Sequence, residues 1–314
     1  MYYPYFRGKQ FELITIRDMA ALLAQKHFVP VIEPVRESLG GLRKTLSAVC
    51  DAGGRAIVIV NPYHGDHQED GANITGLLQA DFDQMENISA GVLLRNDMTV
   101  DQATACYRQH IGQHPVLVHA GFTAPKKLAA ELKPDMANLT NVFIEDHANT
   151  LYRKHFDGST RILIRDGFKP RRNAEFAKIP VEEFSELHLT FESDLGMDGF
   201  GDFLTVGDVY SDGGGPAYAV AIHLTFIDPR ADGVMYIYHF VSTTNDTPTD
   251  PAGKFAQALA KAIAKLDGGM SHILETEAIK EFRDLHAKGH FRGLGYVKKL
   301  SMKHHIETLA DYFD

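Results

Sequence analysis

The chain has 314 residues, 44% of them hydrophobic and 23% charged, which suits a soluble globular protein of one large or two ordinary domains. Its formal net charge of -9 argues against general nucleic-acid binding, because counterion release needs a basic face. No apolar run approaches the ~18 residues of a membrane helix, MYYPYFRGKQ is no signal peptide, and two cysteines (Cys50, Cys106) outside any metal or disulfide spacing point to a reducing cytoplasm.

A cassette repeats along the first two-thirds of the chain: a short apolar run, an abrupt polar residue, a loop and a helical stretch. Strand one is predicted over residues 2–6, followed by a helix over 11–24. Strand two spans 28–35 and its helix 39–51, ended by a glycine pair. Strand three covers 55–60, the polar stretch 63–76 reads as a loop, and a helix follows near 76–86. Strand four covers 89–94. Thr99 then starts a helix, with Gln102 three residues on as in a capping box. Strand five covers 115–119, and Thr123 caps the next helix with Pro125 in its first turn. Strands six and seven cover 141–144 and 161–164. Residues 181–195 look helical, and 203–206 form a short eighth strand.

Continuous apolar runs mark strands buried on both faces, and the strand–helix alternation marks a parallel α/β fold. Seven or eight such units, with a first turn that holds one glycine, fit a (β/α)8 TIM-barrel-like fold better than a dinucleotide-binding sheet. The barrel is predicted over residues 1–210. Residues 211–314 add a glycine-rich loop, a β-hairpin from AYAVAIHLTF and VMYIYHFVS, an amphipathic helix over 253–266 and a helical tail, expected to pack on the barrel as one structural domain.

In such a barrel, ligands sit at the carboxyl ends of the strands. The polar residues there are Arg7, Glu33, Asn61, Arg95, His119, Glu145, Asp146, Arg165 and Asp166. Glu33, His119, Glu145, Asp146 and Asp166 are the catalytic candidates, since carboxylates with a histidine hold a divalent metal or share acid–base work. Arg7, Asn61, Arg95 and Arg165 are the substrate-binding candidates, since arginines suit a phosphate. A ligand-free mouth closed by salt bridges would use the same residue types, and a one-residue error in register turns a side chain away.

Lys169 and Arg171, with Arg172, form a basic loop after strand seven, where barrels often bind phosphate. Its plainer reading is a solvated loop. His223 and His239 lie in the two hairpin strands and would bind a metal or a phosphate if they met. Single strand histidines are more often structural. Asp202 stands before the glycine run 213–215. His64, Asp66 and His67 form a cluster whose spacing matches no metal template. Residues 179–229 carry no Lys or Arg, yet hold ten carboxylates from Glu182 to Asp228.

MYYPYFRGKQFEL, FVPVIEPV, GDFLTVGD, AVAIHLTF, HFVS and DPAGKF resemble the phage and bacterial "beta family protein" group, over most of the chain. The resemblance implies a barrel, and membership of a phage-defence or mobile-element module, in which some members are encoded beside a nuclease of the PD-(D/E)XK type. It marks Arg7, Gly8, Glu33, Asp202, His223, Thr225, His239 and Asp250 as signature positions and assigns none a catalytic role. Three functions follow as expectations. The first is a defence component with a ligand-binding or hydrolytic mouth. The second is a stand-alone metal-assisted hydrolase of a phosphorylated or nucleotide-like substrate. The third is a non-catalytic partner or immunity protein for the neighbouring nuclease, bound through the acidic 181–212 region.

Overall fold

A computed structural model describes residues 1–83 and 85–314. Among them run, in chain order, strands β1 (Tyr5–Phe6), β2 (Val31–Ile32), β3 (Ala56–Ile59), β4 (Ile88–Arg95), β5 (Val116–Ala120), β6 (Thr140–Ile144), β7 (Thr160–Ile164), β8 (Val181–Ser185), β9 (Gly199–Gly201), β10 (Ala221–Asp228) and β11 (Val234–Val241). The chain forms two compact units. The first is Met1–Arg165 with Thr190–Phe203, and the second is Asp166–Leu189 with Leu204–Asp314.

The first unit is the barrel. Its eight strands pair in the order β1-β2-β3-β4-β5-β6-β7-β9, each pair parallel. A parallel bridge between Tyr2 and Phe200 brings the last strand back to the first, and Tyr3 N–H donates to the Phe200 carbonyl at 2.8 Å. Gly201 permits this approach: a Cβ there would lie 2.0 Å from the Tyr3 carbonyl oxygen. The eighth strand therefore sits a few residues before the expected 203–206, at the glycines that let two backbones meet.

Alternate residues in and beside β1 to β7 fill the lumen. Tyr3, Tyr5, Val31, Ile57, Ile59, Leu93, Val116, Val118, Val142, Ile144, Ile162 and Ile164 form one buried cluster with Phe203. At the amino ends of the strands the lumen opens into a cavity of about 520 Å³. Helices cover the outside. The first predicted helix is two, Gln10–Asp18 and Ala20–Gln25. The helix expected near 76–86 is Ala72–Asp81, and Gln84, within that expected span, lies outside the described residues. The Thr99 capping box forms, with Thr99 Oγ1 accepting from Gln102 N–H at 3.2 Å and Gln102 Oε1 from Thr99 N–H at 2.8 Å. Pro125 opens the helix Pro125–Glu131, but the cap position is Ala124 rather than Thr123, and it makes no side-chain cap.

The second unit is a three-stranded antiparallel sheet, β10-β11-β8, with three long helices, Pro251–Asp267, Glu277–Lys288 and Leu294–Tyr312. The expected hairpin is present, with His223 directly opposite His239. The helix expected over 181–195 is instead β8 followed by the single turn Leu187–Thr190. β8 pairs antiparallel with β11, and that pairing satisfies its backbone as a strand. No described helix is long and apolar enough to cross a membrane.

Candidate functional site

The lumen parity decides which strand-end residues face the mouth of the barrel. Continuing the alternation from Tyr5, Val31, Ile59 and Leu93 places Arg7, Glu33, Asn61 and Arg95 on the inward side. Glu33 has no exposed surface. Its Oε2 accepts from Arg7, in a close ion pair, and from the Tyr5 hydroxyl at 3.0 Å. Its Oε1 accepts from the backbone N–H groups of Tyr63 at 2.9 Å and His64 at 3.2 Å. Four donors saturate this carboxylate, so it serves as an anchor and not as a free base. It fixes Arg7, whose guanidinium also lies 5.0 Å from the Tyr5 ring centroid and 5.3 Å from that of Phe203. Gly8 is part of the same packing. It has φ +63°, and a Cβ there would lie 2.9 Å from the Glu33 carbonyl oxygen.

Asn61 spends its amide on β4, accepting from Leu93 N–H at 2.8 Å and donating to the Leu93 carbonyl at 2.9 Å. Arg95 is held more loosely. It pairs with the exposed Asp97 at 3.0 and 3.2 Å and lies 5.8 Å from the Tyr63 ring centroid. The HGDH loop is pinned beside this corner. His67 Nε2 bonds to the Arg36 carbonyl at 3.0 Å, and Asp66 accepts from Glu37 N–H at 2.7 Å.

His119 stands one residue out of register with the lumen and faces the helical layer, the error that register allows. It is fully buried between Phe143, Tyr152 and Phe156. Asn141 Nδ2 donates to Ser159 Oγ at 2.8 Å, so Asn141 Oδ1 accepts from His119 Nε2 at 2.9 Å, and His119 Nδ1 accepts from the Tyr152 hydroxyl at 2.8 Å. Burial pulls its pKa down to about 3, against the opposing hydrogen bond that His119 donates to Asn141. Glu145 and Arg165 share the outward parity and form a bidentate pair at 2.5 and 2.9 Å. Asp146 is exposed, in the short turn Glu145–His147. The barrel thus gathers Arg7, Glu33, Asn61 and Arg95, and sends His119, Glu145 and Arg165 elsewhere. Asp202 accepts from the Tyr2 hydroxyl at 2.8 Å.

In the second unit, Asp166 accepts from the N–H groups of Phe168 at 2.9 Å and Asp208 at 2.8 Å. Here the two strand histidines meet, Nδ1 to Nδ1, at 2.7 Å. Glu182 Oε1 accepts from His239 Nε2 at 3.1 Å. That fixes the proton of neutral His239 on Nε2, so its Nδ1 accepts from His223 Nδ1. Arg171 grips Glu182 in a bidentate pair at 2.5 and 3.1 Å, with Lys169 at 3.6 Å. Phe168 and Phe176 flank both rings. Burial, reinforced by His239 and Lys298, holds His223 well below the ordinary histidine range. Burial also takes His239 to about 4, against the pull of Glu182. The predicted basic loop is therefore committed internally: Lys169 and Arg171 to Glu182, and Arg172 to Glu175.

Sequence reasoning missed Glu182, because residues 181–195 read as a helix and VEEFS carries no period-2 alternation. It also missed the backbone donors of Tyr63 and His64, which no side-chain pattern encodes. The remaining signature positions have structural partners. Thr225 Oγ1 bonds to His305 Nδ1 at 3.0 Å, and Asp250 caps the helix Pro251–Asp267 by accepting from Gly253 N–H at 2.9 Å. Among the described residues, no group of three or more His, Cys, Asp or Glu side chains is arranged to hold a metal ion. No protein-family model matches the chain, and no curated protein matches it.

Proposed function

We propose that this chain is a ligand-binding component of a bacterial phage-defence or mobile-element module, and that its barrel mouth takes a small phosphorylated or nucleotide-like molecule. The observation that carries the binding site is Glu33, a fully buried carboxylate saturated by Arg7, Tyr5 and two backbone donors. A buried ion pair contributes little net stability, because desolvation offsets the attraction. At the carboxyl end of barrel strands, such a pair instead preorganises a site. Arg95 is the ligand contact in this reading. Its partner Asp97 is exposed, and a phosphate displaces a pair of that kind at small cost. The defence setting rests on the resemblance of GDFLTVGD, AVAIHLTF, HFVS and DPAGKF alone.

A metal-assisted hydrolase draws no support from the side chains, since His119 and Glu145 turn away from Glu33 and no metal-holding cluster forms among the described residues. The test is thermal shift with AMP, ADP and glucose 6-phosphate on wild type and Arg95→Ala. A concentration-dependent rise in Tm that Arg95→Ala abolishes supports the reading. Absence of any rise, or an equal rise in the variant, overturns it.

A further inference from the structure

The cavity at the amino ends of the barrel strands is lined by side chains that the protein leaves uncommitted. Its floor is the lumen itself: Val29, Ile57 and Val116, with the ring of Tyr3. Around that floor stand the hydroxyls of Tyr3, Ser89, Tyr107 and Thr140, the guanidinium of Arg55 and the carboxylates of Glu86 and Asp135. None of these side chains makes a hydrogen bond or ion pair with another described residue. The contrast with the opposite end is sharp, where Glu33 alone engages four donors. Ser89 and Tyr107 are buried residues, 7% and 5% exposed, in the wall of the cavity.

Two further features belong to this recess. His114, on its rim, has φ +47° and ψ +64°, a left-handed conformation that non-glycine residues seldom adopt and that tends to mark functional sites. Ile111 lines the same rim and is 55% exposed.

We propose that this cavity is a second binding site, for a neutral, hydroxyl-rich small molecule that carries a planar ring, of nucleoside or aryl-glycoside size. The volume falls within the range of small-molecule sites, roughly 300–1,000 Å³. The two carboxylates suit a vicinal diol, which needs acceptors. The serine, threonine and tyrosine hydroxyls suit ring oxygens and further hydroxyls, since each both donates and accepts. The Tyr3 and Tyr107 rings, with the apolar floor, suit the planar ring. One arginine stands against two carboxylates in the lining, a charge balance that disfavours polyphosphates. This site lies at the opposite ends of the strands from the mouth, and its proposal does not depend on the mouth.

The test is titration calorimetry of the full chain with adenosine, uridine and 4-nitrophenyl β-glucoside. Binding is then compared in Asp135→Asn, Tyr107→Phe and Arg95→Ala. The expected result is saturable binding of at least one probe, weakened about five-fold or more by Asp135→Asn or Tyr107→Phe and unchanged in Arg95→Ala. A nucleoside-only response identifies the ring as a base, and a glycoside-only response identifies it as an aryl aglycone; both uphold the site. Failure of all three probes to saturate at millimolar concentration overturns the proposal. So does binding that Asp135→Asn and Tyr107→Phe leave intact, or that Arg95→Ala removes. Circular dichroism of each variant confirms the fold, and Tyr107→Phe keeps the ring in place.

Discussion

His119 has both ring nitrogens in hydrogen bonds and no exposed surface, so its neutral form is built into the fold. His304 is similar: Nε2 donates to the Thr225 carbonyl at 2.8 Å, Nδ1 faces Thr276 Oγ1 at 2.9 Å, and burial takes its pKa to about 4. With His239, also near 4, these groups set an acid limit on stability. The unfolded chain takes up protons near the ordinary value of about 6.5, and the folded chain resists until about 4 or, for His119, about 3. The stabilisation is therefore complete above about pH 6.5 and declines as the pH falls through that window, by up to about 1.4 kcal/mol per pH unit for each group. Urea unfolding between pH 7 and 5 should show this decline. His119→Gln, which keeps a donor and an acceptor, should flatten the slope; an unchanged slope would show that His119 does not hold a depressed pKa. His119→Leu at pH 7 should cost about 3 kcal/mol, because Asn141 and Tyr152 lose their partner in a buried place.

At the scale of elements, strand parity separates what the sequence made legible from what it hid. The apolar runs gave the barrel strands, and their polar ends gave Arg7, Glu33, Asn61 and Arg95, because each strand keeps an alternation that one buried lumen enforces. The same runs do not tell which of two adjacent residues faces in when both faces are buried, so His119 and Glu145 were legible only as strand ends. The short acidic β8 was hidden for a different reason: its partner β11 lies far along the chain, and only that pairing makes it a strand. A double-mutant cycle with Glu182→Gln and Arg171→Met should give a coupling of about 1–3 kcal/mol in urea unfolding, since the pair is bidentate and largely shielded. Additive effects would mean that the pair carries no stability. In the barrel, Gly201→Ala should cost more than about 3 kcal/mol or prevent folding, because its Cβ would lie 2.0 Å from the Tyr3 carbonyl oxygen. Gly76→Ala, in a helix where a Cβ meets nothing, is the matched control and should be neutral or stabilising.

Across the whole molecule, each compact unit is assembled from two stretches of chain. The hairpin and helical tail after residue 210 were visible in the sequence, but the return of residues 190–203 to the barrel was not, because a three-residue strand rich in glycine leaves almost no apolar signature. The charge asymmetry was visible too. The structure gives it local uses: Glu182 meets Arg171 and Lys169, while Lys288 and Lys303 pair with Asp284 and Glu307 inside the helical tail.

The late position of β9 has a consequence for how the protein is made. A ribosome delivers β1 to β7 first, then β8, and only afterwards the strand that completes the ring. Until residues 199–201 emerge, the nascent barrel carries two open edges, at β1 and β7. At that point β11, the partner of β8, has not yet emerged. The growing chain therefore passes through a stage in which a finished ring coexists with an unpaired strand, whose backbone donors and acceptors wait for β11.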